Sequence, residues 1–286
     1  MKFPLTVFSM ILGLGAAGIA QAQIQTPAAS PRANLSQSVG LTTVTVDYSR
    51  PSARDREIYG ALVPFGEIWR TGADAATRIV FEHDVTFGGE SVDAGEYALY
   101  SIPGENEWTI ILYTDTSHWG AQGYDPANEV VRVPAEPQRI EPFLETFLIG
   151  LEHLRDDSAV LHLDWAHTRV PVKITTDTNT MVEASIAAAL ENPDALGPRD
   201  YARAAIFYLN QGRELEQAKS WMEKALEASP DAYWWEHSYA RILAEQGEKE
   251  AAIAAAEASL EKARATGGRA FGYIDLNEAL IKRLQN

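Results

Sequence analysis

The chain has 286 residues and a formal net charge of −16, with 40 acidic residues against 24 lysines and arginines. So acidic a chain, without a basic cluster, repels phosphate backbones, and the sequence therefore predicts no nucleic-acid partner. It contains no cysteine, which excludes disulfides, thiol catalysis and a lipidated cysteine. No cofactor is expected, because the phosphate-loop, nucleophile-elbow and His-Glu-x-x-His patterns are absent from the sequence.

The first residues are typical of a secretory signal peptide. Lys2 precedes a short apolar stretch that ends at Ile19, and Ala20-Gln21-Ala22 matches the small-x-small site of signal peptidase. We therefore predict that residues 1–22 are cleaved after Ala22 and that the protein is periplasmic or secreted. The apolar stretch is shorter than the roughly 20 residues of a transmembrane helix, so the mature chain is not expected to span a membrane.

The next region predicts a β domain. Residues 23–34 are polar and proline-containing, typical of a flexible tether, and residues 35–176 are rich in valine, threonine, isoleucine and aromatic residues. Val44, Val46 and Tyr48 alternate onto one face of a first strand. About eight strands separated by turns favour an antiparallel β-sandwich or barrel. The later predicted strands are Arg78–Phe87, Gly95–Ile102, Trp108–Tyr113, Glu129–Val133, Phe143–Leu151, Ala159–Trp165 and Val170–Thr175.

Alternation also places residues on the last two predicted strands. Their apolar positions are expected to meet in the core: Leu161, Leu163, Trp165, Val170, Val172 and Ile174. His162 and Asp164 fall on the opposite face, and because side chains two residues apart point the same way, they are a candidate metal pair. The alternative interpretation is an ordinary solvent-facing strand.

Residues 178–286 predict a helical domain. They are rich in alanine, glutamate, leucine and lysine and contain two copies of a pattern of about 34 residues that is typical of tetratricopeptide repeats. Small residues such as Ala218 and Ala252 let neighbouring helices approach closely. Further helices are expected at Asn179–Glu191 and Tyr273–Leu284. Because about three such repeats are usually needed for stability, the array is expected either to support the β domain or to recognise a partner protein.

Several motifs of the β region occur together in a fixed order. They are Asp47-Tyr48-Ser49-Arg50-Pro51, Leu62 to Gly66, Ile68 to Ala73, Ala94 to Tyr97, Ile102-Pro103-Gly104, Glu107-Trp108-Thr109, Trp119-Gly120 and Tyr124-Asp125. With these motifs, residues 28–176 resemble an uncharacterised family of exported bacterial proteins catalogued as domain of unknown function 2911. The resemblance implies export but no established chemistry. Where that family usually has Asn and Glu, this chain has Asp74 and Ala75.

Arginines and aromatic residues of these motifs form the candidate ligand site. Arginine offers a planar fork for carboxylate or phosphate, and tryptophan or tyrosine offers a flat apolar surface. Together they predict a pocket for a small anionic or sugar-like ligand at one end of the sandwich, with the candidate residues Tyr48, Arg50, Arg54, Trp69, Arg70, Trp119 and Tyr124. In the structural alternative, the arginines pair with nearby acids, and Trp69 and Trp119 fill the end of the barrel.

Three functional hypotheses follow. The first is an exported, non-enzymatic binding or interaction module of the bacterial envelope, whose partner is an envelope protein or a small ligand. The second is an envelope hydrolase or carbohydrate-active enzyme, with a cleft lined by Asp47, Arg50, Arg70 and Trp119. Glycoside cleavage needs two carboxylates about 5 to 10 Å apart, and Asp47 and Asp125 are the pair to examine. The third is a structural role in which the repeats hold an envelope partner.

Overall fold

A computed structural model describes residues 26–267 and 270–286. They form two compact units, of which the first ends at Thr176 and the second begins at Asp177. The predicted signal peptide, residues 1–22, lies outside the described residues, as do residues 23–25 of the predicted tether. Within the described ranges, no helix combines the length and the apolar character that crossing a bilayer requires.

The first unit consists of antiparallel strands in two sheets, which confirms the predicted fold class. Its described residues contain ten strands: β1 Arg32–Val39, β2 Thr42–Ser49, β3 Thr77–Phe81, β4 Val85–Phe87, β5 Glu90–Val92, β6 Gly95–Ile102, β7 Trp108–Tyr113, β8 Glu129–Ala135, β9 Gln138–Glu152 and β10 Ser158–Thr176. One sheet has the order β1-β2-β3-β6-β7-β8, and the other has the order β5-β4-β10-β9. Neither sheet closes on itself, so the unit is a sandwich rather than a barrel.

Alternating apolar residues build the core between the two sheets. On β2, Val44, Val46 and Tyr48 are buried, while Thr45 and Asp47 between them are partly exposed, as the alternation predicted. All the β10 residues expected in the core belong to it: Leu161, Leu163, Trp165, Val170, Val172 and Ile174. Burying these alternating faces against each other is the main driving force for the sandwich.

Two predicted strand boundaries are wrong. The predicted strand Arg78–Phe87 is two strands, β3 and β4, which belong to different sheets, because the chain bends at the polar residues between them and crosses the sandwich. The last two predicted strands are the single strand β10, which passes through a bulge near Ala166 (φ 54°) instead of turning back. In addition, β1 begins at Arg32, within the segment predicted as a tether.

Residues 50–76 connect β2 to β3, and their first part runs along the free edge of β9. The backbone N–H of Phe147 donates to Pro51 O at 2.9 Å, and that of Ala53 donates to Glu145 O at 2.7 Å. Since β9 is the last strand of its sheet, these bonds satisfy backbone groups that an edge strand leaves open. The connection is thereby fixed to the sandwich, and most of the predicted site residues lie in it.

The second unit is helical. Its described residues form six α-helices: α1 Thr178–Leu190, α2 Pro198–Gln211, α3 Leu215–Ala228, α4 Tyr233–Glu245, α5 Lys249–Ala265 and α6 Tyr273–Gln285. Gly212 (φ 64°) and Gly247 (φ 81°) adopt left-handed conformations where α2 and α4 end. Ala218 and Ala252, predicted to let neighbouring helices approach closely, are buried, as are Leu209, Met222, Ala225, Ala240, Leu243, Ala256 and Ser259. Assignment of this unit to the tetratricopeptide repeats remains a prediction.

A buried polar network joins three helices of this unit. His237 Nδ1 lies 2.7 Å from Asn277 Oδ1, Asn277 Nδ2 donates to Ser259 Oγ at 2.8 Å, and Ser259 Oγ donates to Tyr233 O at 2.7 Å. Because the amide nitrogen already donates to Ser259, the amide oxygen accepts from the histidine, so Nδ1 carries the proton. Burial outweighs this hydrogen bond and lowers the pKa of His237.

Candidate ligand-binding site

The described part of the β unit contains a pocket of about 280 Å³. The buried indoles of Trp69 and Trp165 line its bottom, and Arg54, Arg56 and Arg70 line its more exposed wall. The other lining residues are Ala29, Ser30, Pro51, Ser52, Leu62, Val63, Gly72 and Ala73. We call this the arginine pocket. It brings together three of the predicted site residues, namely Arg54, Trp69 and Arg70.

Backbone carbonyl groups orient the three guanidinium groups. Arg54 Nη2 donates to Ala29 O at 3.1 Å, and Arg70 Nη1 donates to Asp74 O at 3.2 Å. Arg56 donates from Nε and Nη2 to carbonyls of the preceding turn, at 2.9 and 2.7 Å. Since a guanidinium has five N–H donors, each of the three keeps donors for a ligand.

The guanidinium groups of the arginine pocket form no close ion pairs, although the carboxylate of Glu145 accepts from the backbone N–H of Arg54 at 2.8 Å. Within the described residues, none of its three arginines forms an ion pair with a carboxylate, although the chain carries 40 acids. Elsewhere such pairs are common: Arg32 and Arg78 pair with Asp47 at 2.6 and 3.3 Å, and Arg169 pairs with Asp164 at 2.6 Å. Three unpaired guanidinium groups around one cavity attract anions and can bind them through charge-assisted hydrogen bonds.

Internal hydrogen bonds hold both tryptophans in place. Their rings stack at 6.1 Å between centroids with an interplanar angle of 19°. Trp69 Nε1 donates to Gly72 O at 3.0 Å, and Trp165 Nε1 donates to Glu145 O at 3.2 Å. Beneath them, the partly buried ring of Tyr59 contacts both indoles edge-on, at 6.2 and 6.4 Å. The bottom of the arginine pocket is therefore a fixed apolar surface.

Tyr48 and Arg50, also predicted site residues, do not line the pocket. The hydroxyl of Tyr48 accepts from Ile149 N at 3.0 Å and donates to Ile149 O at 3.2 Å. Arg50 Nε donates to Phe147 O at 2.8 Å. Both side chains thus bind the backbone of β9 and join the two sheets.

Trp119 and Tyr124 lie between β7 and β8, and neither lines the arginine pocket. Tyr124 stacks on Tyr113 at 4.8 Å and donates to Glu129 Oε1 at 2.6 Å; burial first, and then this hydrogen bond, raise the pKa of Tyr124. Trp119 is 71% exposed. The structural alternative expected Trp119 to fill the end of the barrel, and its exposure shows that it does not.

Gly120, which follows Trp119, lies close to Arg70, one of the residues that line the arginine pocket. A Cβ atom on Gly120 would lie 2.7 Å from Arg70 Nη1, and the φ angle of Gly120 is +87°. Both facts favour glycine here, because a side chain would displace the guanidinium and strain the backbone. The Trp119-Gly120 motif thus leaves room for Arg70.

The cleft expected for a hydrolase is not formed by the residues predicted for it. Of that set, only Arg70 lines the arginine pocket. Asp47, one of the two carboxylates to examine for glycoside cleavage, is held by two arginines, Arg32 and Arg78. Asp125 accepts from Ala127 N at 3.0 Å and caps a short 3₁₀ turn. These carboxylates stabilise local structure, and Arg50 and Trp119 lie elsewhere.

Ser117 and His118 are of the residue types that form a nucleophile and its base, and both contact the acid Asp115. Asp115 accepts from Ser117 Oγ at 2.6 Å and lies 3.2 Å from His118 Nε2. The hydrogen bonds from Ser117, followed by the effect of His118, lower the pKa of Asp115. Because the serine donates to the acid rather than to the histidine, the order of a catalytic triad is not present.

The solvent-facing interpretation of His162 and Asp164 is wrong, because they are only 3% and 1% exposed. Arg169 covers Asp164, donating from Nε and Nη2 at 2.9 and 2.6 Å. Gly150 faces His162 across the strands, and a Cβ atom there would lie 2.4 Å from the ring. Burial acts to raise the pKa of Asp164, but hydrogen bonds from His162 and Arg169 hold it below its ordinary value. The described residues contain no group of three or more His, Cys, Asp or Glu side chains placed to hold a metal.

Sequence reasoning missed Arg56 and Leu62 as lining residues and assigned Trp165 to the core alone. Arg56 lies only two residues after Arg54, which was predicted as a site residue. This short spacing is the sequence feature that could have indicated Arg56 as a second lining arginine. Leu62 is the first residue of one of the family motifs. Whether it lines a pocket depends on the path of residues 50–76, which the sequence does not indicate.

Comparison with protein families agrees with the motifs. The family model described as "Protein of unknown function (DUF2911)" matches residues 30–174, about half of the chain. Comparisons with curated proteins and with solved structures found no match. All residues of the arginine pocket except Ala29 lie in the matched range. The chain therefore belongs to the DUF2911 family of proteins of unknown function.

Proposed function

We propose that this chain is an exported, non-enzymatic binding protein of the bacterial envelope whose β unit binds a small anion in the arginine pocket. The observation that carries the proposal is the convergence of Arg54, Arg56 and Arg70 on one cavity, without an ion-pair partner among the described residues. Guanidinium groups without an ion-pair partner keep charged hydrogen-bond donors for a ligand of opposite charge, which supports an anion.

Binding is favoured over the hydrolase alternative by the chemistry of the lining. Its charged members are all arginines, whose guanidinium groups hold their protons too firmly to act as proton-transfer groups. The two lining hydroxyls belong to Ser30 and Ser52, and Ser52 Oγ shares one hydrogen bond with Thr146 Oγ1 at 3.0 Å, in which either hydroxyl can donate. Such a lining attracts and orients an anion but supplies no evident base, so binding is the activity that it supports best.

Titration calorimetry of residues 23–286 at low ionic strength tests the proposal, with benzoate, phenyl phosphate and inorganic phosphate as probes. We expect Arg56→Gln and Arg70→Gln each to weaken binding about 10- to 100-fold, because hydrogen bonds to charged groups contribute about 1.5–3 kcal/mol and about 1.4 kcal/mol is tenfold. Arg139→Gln is the matched control, since Arg139 is 71% exposed, pairs with Glu141 and lies outside the pocket.

The proposal fails if none of these anions binds, or if Arg139→Gln weakens binding as much as the pocket variants do. The latter result would mean that overall charge, rather than the arginine pocket, attracts the anion.

Export is supported by the leader-like residues 1–22 and is tested separately. We expect the protein expressed in a Gram-negative host to be recovered from the periplasmic fraction or the medium with Gln23 as its first residue. Recovery of the chain from the cytoplasm, beginning at Met1, would contradict this part of the proposal.

A further inference from the structure

We infer that the ligand of the arginine pocket is an amphipathic anion, with a carboxylate or phosphate group on a compact apolar body, rather than a sugar acid or sugar phosphate. This inference rests on the proposed anion-binding function and narrows it. It also departs from the sugar-like ligand that the sequence left open. Four properties of the pocket carry it: its bottom, its remaining lining, its donors and its size.

The bottom of the pocket offers carbon rather than hydrogen-bonding groups. The indole N–H groups of Trp69 and Trp165 are already used by Gly72 O and Glu145 O. Because Trp69 is 8% and Trp165 1% exposed, what remains of these two side chains for a ligand is a small apolar contact at the ring edges or faces.

The remaining lining is poor in acceptors for hydroxyl groups. It includes the apolar side chains of Pro51, Leu62, Val63 and Ala73, and its described members include no Asp, Glu, Asn or Gln. A sugar hydroxyl that loses water needs an acceptor, and burial without one is costly. An apolar body has no such requirement and therefore fits this lining better.

The donors belong to more exposed lining residues, whereas Val63, Trp69 and Trp165 are buried. Arg54, Arg56 and Arg70 each give one or two N–H groups to backbone carbonyls and keep the others. Those hydrogen bonds fix the guanidinium groups before a ligand arrives, which reduces the entropy cost of binding. The arrangement matches a ligand with its charge at one end.

The volume limits the body to about one ring or a short chain. Pockets for drug-sized ligands hold about 300–1,000 Å³, and this one holds about 280 Å³. Long-chain fatty acids and oligosaccharides exceed that space, whereas a six-membered ring with one anionic group does not.

Two matched ligand pairs test the inference by titration calorimetry of residues 23–286. Cyclohexanecarboxylate and glucuronate share a six-membered ring and a carboxylate, while phenyl phosphate and glucose 6-phosphate share a six-membered ring and a phosphate. We expect the apolar member of at least one pair to bind at least tenfold more tightly than its sugar partner. Arg56→Gln should weaken that binding at least tenfold.

Substitution of Leu62, an apolar residue of the lining, gives the second measurement. Leu62 is 42% exposed and lines the pocket, and Leu154 is equally exposed but lies outside it. Leu62→Asn should reduce the preference for the apolar ligand at least threefold, while Leu62→Met and Leu154→Asn should leave it within twofold.

The outcomes distinguish a failure of this inference from a failure of the proposed anion-binding function. If neither apolar member binds at least tenfold more tightly than its sugar partner, and binding depends on Arg56, the inference is overturned while the anion-binding function stands. If no probe binds, or if binding is unaffected by Arg56→Gln, the proposed function fails and the inference fails with it.

Discussion

The hydroxyl of Tyr48 binds both backbone groups of Ile149, accepting from the N–H at 3.0 Å and donating to the carbonyl at 3.2 Å. Tyr48 belongs to β2 in one sheet and Ile149 to β9 in the other. A single buried oxygen therefore links the two layers at the open edge of β9. This contact explains a motif tyrosine that lies outside the arginine pocket.

Tyr48→Phe should destabilise the β unit by about 1–3 kcal/mol, because it leaves the N–H and carbonyl groups of a buried residue without partners. Urea unfolding followed by tryptophan fluorescence measures the change. A loss below about 0.5 kcal/mol would show that water replaces the hydroxyl and that the link contributes little to stability.

Tyr59→Phe is expected to behave in the opposite way. The hydroxyl of Tyr59 is buried without a hydrogen-bond partner in the described structure, and burial, followed by the charge of Asp164, raises its pKa. Removing an unsatisfied hydroxyl should leave the unfolding free energy unchanged or raise it by up to about 1 kcal/mol. The same urea assay applies, and a clear destabilisation would reveal a partner for this hydroxyl.

Gly120→Ala should weaken anion binding as much as Arg70→Gln does, because the new methyl group would displace the guanidinium of Arg70. Calorimetry with phenyl phosphate measures the loss, and the double variant should lose little more than either single variant. Gly123→Ala is the control: its φ angle is +82°, close to the +87° of Gly120, but its nearest neighbour is a ring atom of His118 at 3.9 Å. Equal losses in the two alanine variants would assign the effect to backbone strain.

The helical unit should lose stability as the pH falls below about 6.5, the ordinary pKa of histidine. Because burial lowers the pKa of His237 in the folded state, the unfolded chain takes up the proton first. The contribution of His237 is therefore complete above about pH 6.5 and is lost progressively toward the lower folded pKa.

Circular dichroism at 222 nm during urea unfolding between pH 8 and pH 5 measures this dependence. His237→Gln should reduce the slope. His153→Asn should not, since His153 is exposed and has a φ of 52° that asparagine tolerates. An unchanged slope in His237→Gln would contradict the prediction.

Alternation of apolar residues predicted the sandwich, because one buried face per strand is a local property of the sequence. It could not predict that β10 continues through Ala166, since a bulge and a turn use similar residues. It also assigned His162 to solvent, because alternation gives the face of a residue but not what covers it. Gly150 on the neighbouring strand and Arg169 farther along β10 cover that face.

The candidate site was predictable only in part, for a related reason. Arg54, Trp69 and Arg70 were identified by residue type within motifs, and all three line the cavity. Tyr48 is also of a residue type that binds ligands, but its hydroxyl is hydrogen-bonded to the backbone of Ile149 on β9. That residue lies more than a hundred positions away in the chain. Such distant pairings decide which polar groups remain available, and no local pattern contains them.

The wall that Ala29 and Ser30 contribute to the cavity has a practical consequence for handling this protein. Ala29 also accepts a hydrogen bond from Arg54, so the segment that precedes β1 helps to position one of the charged groups. An affinity tag or fusion partner attached shortly before Ala29 would lie a few residues from the cavity. Recombinant material for screening is better tagged after Asn286.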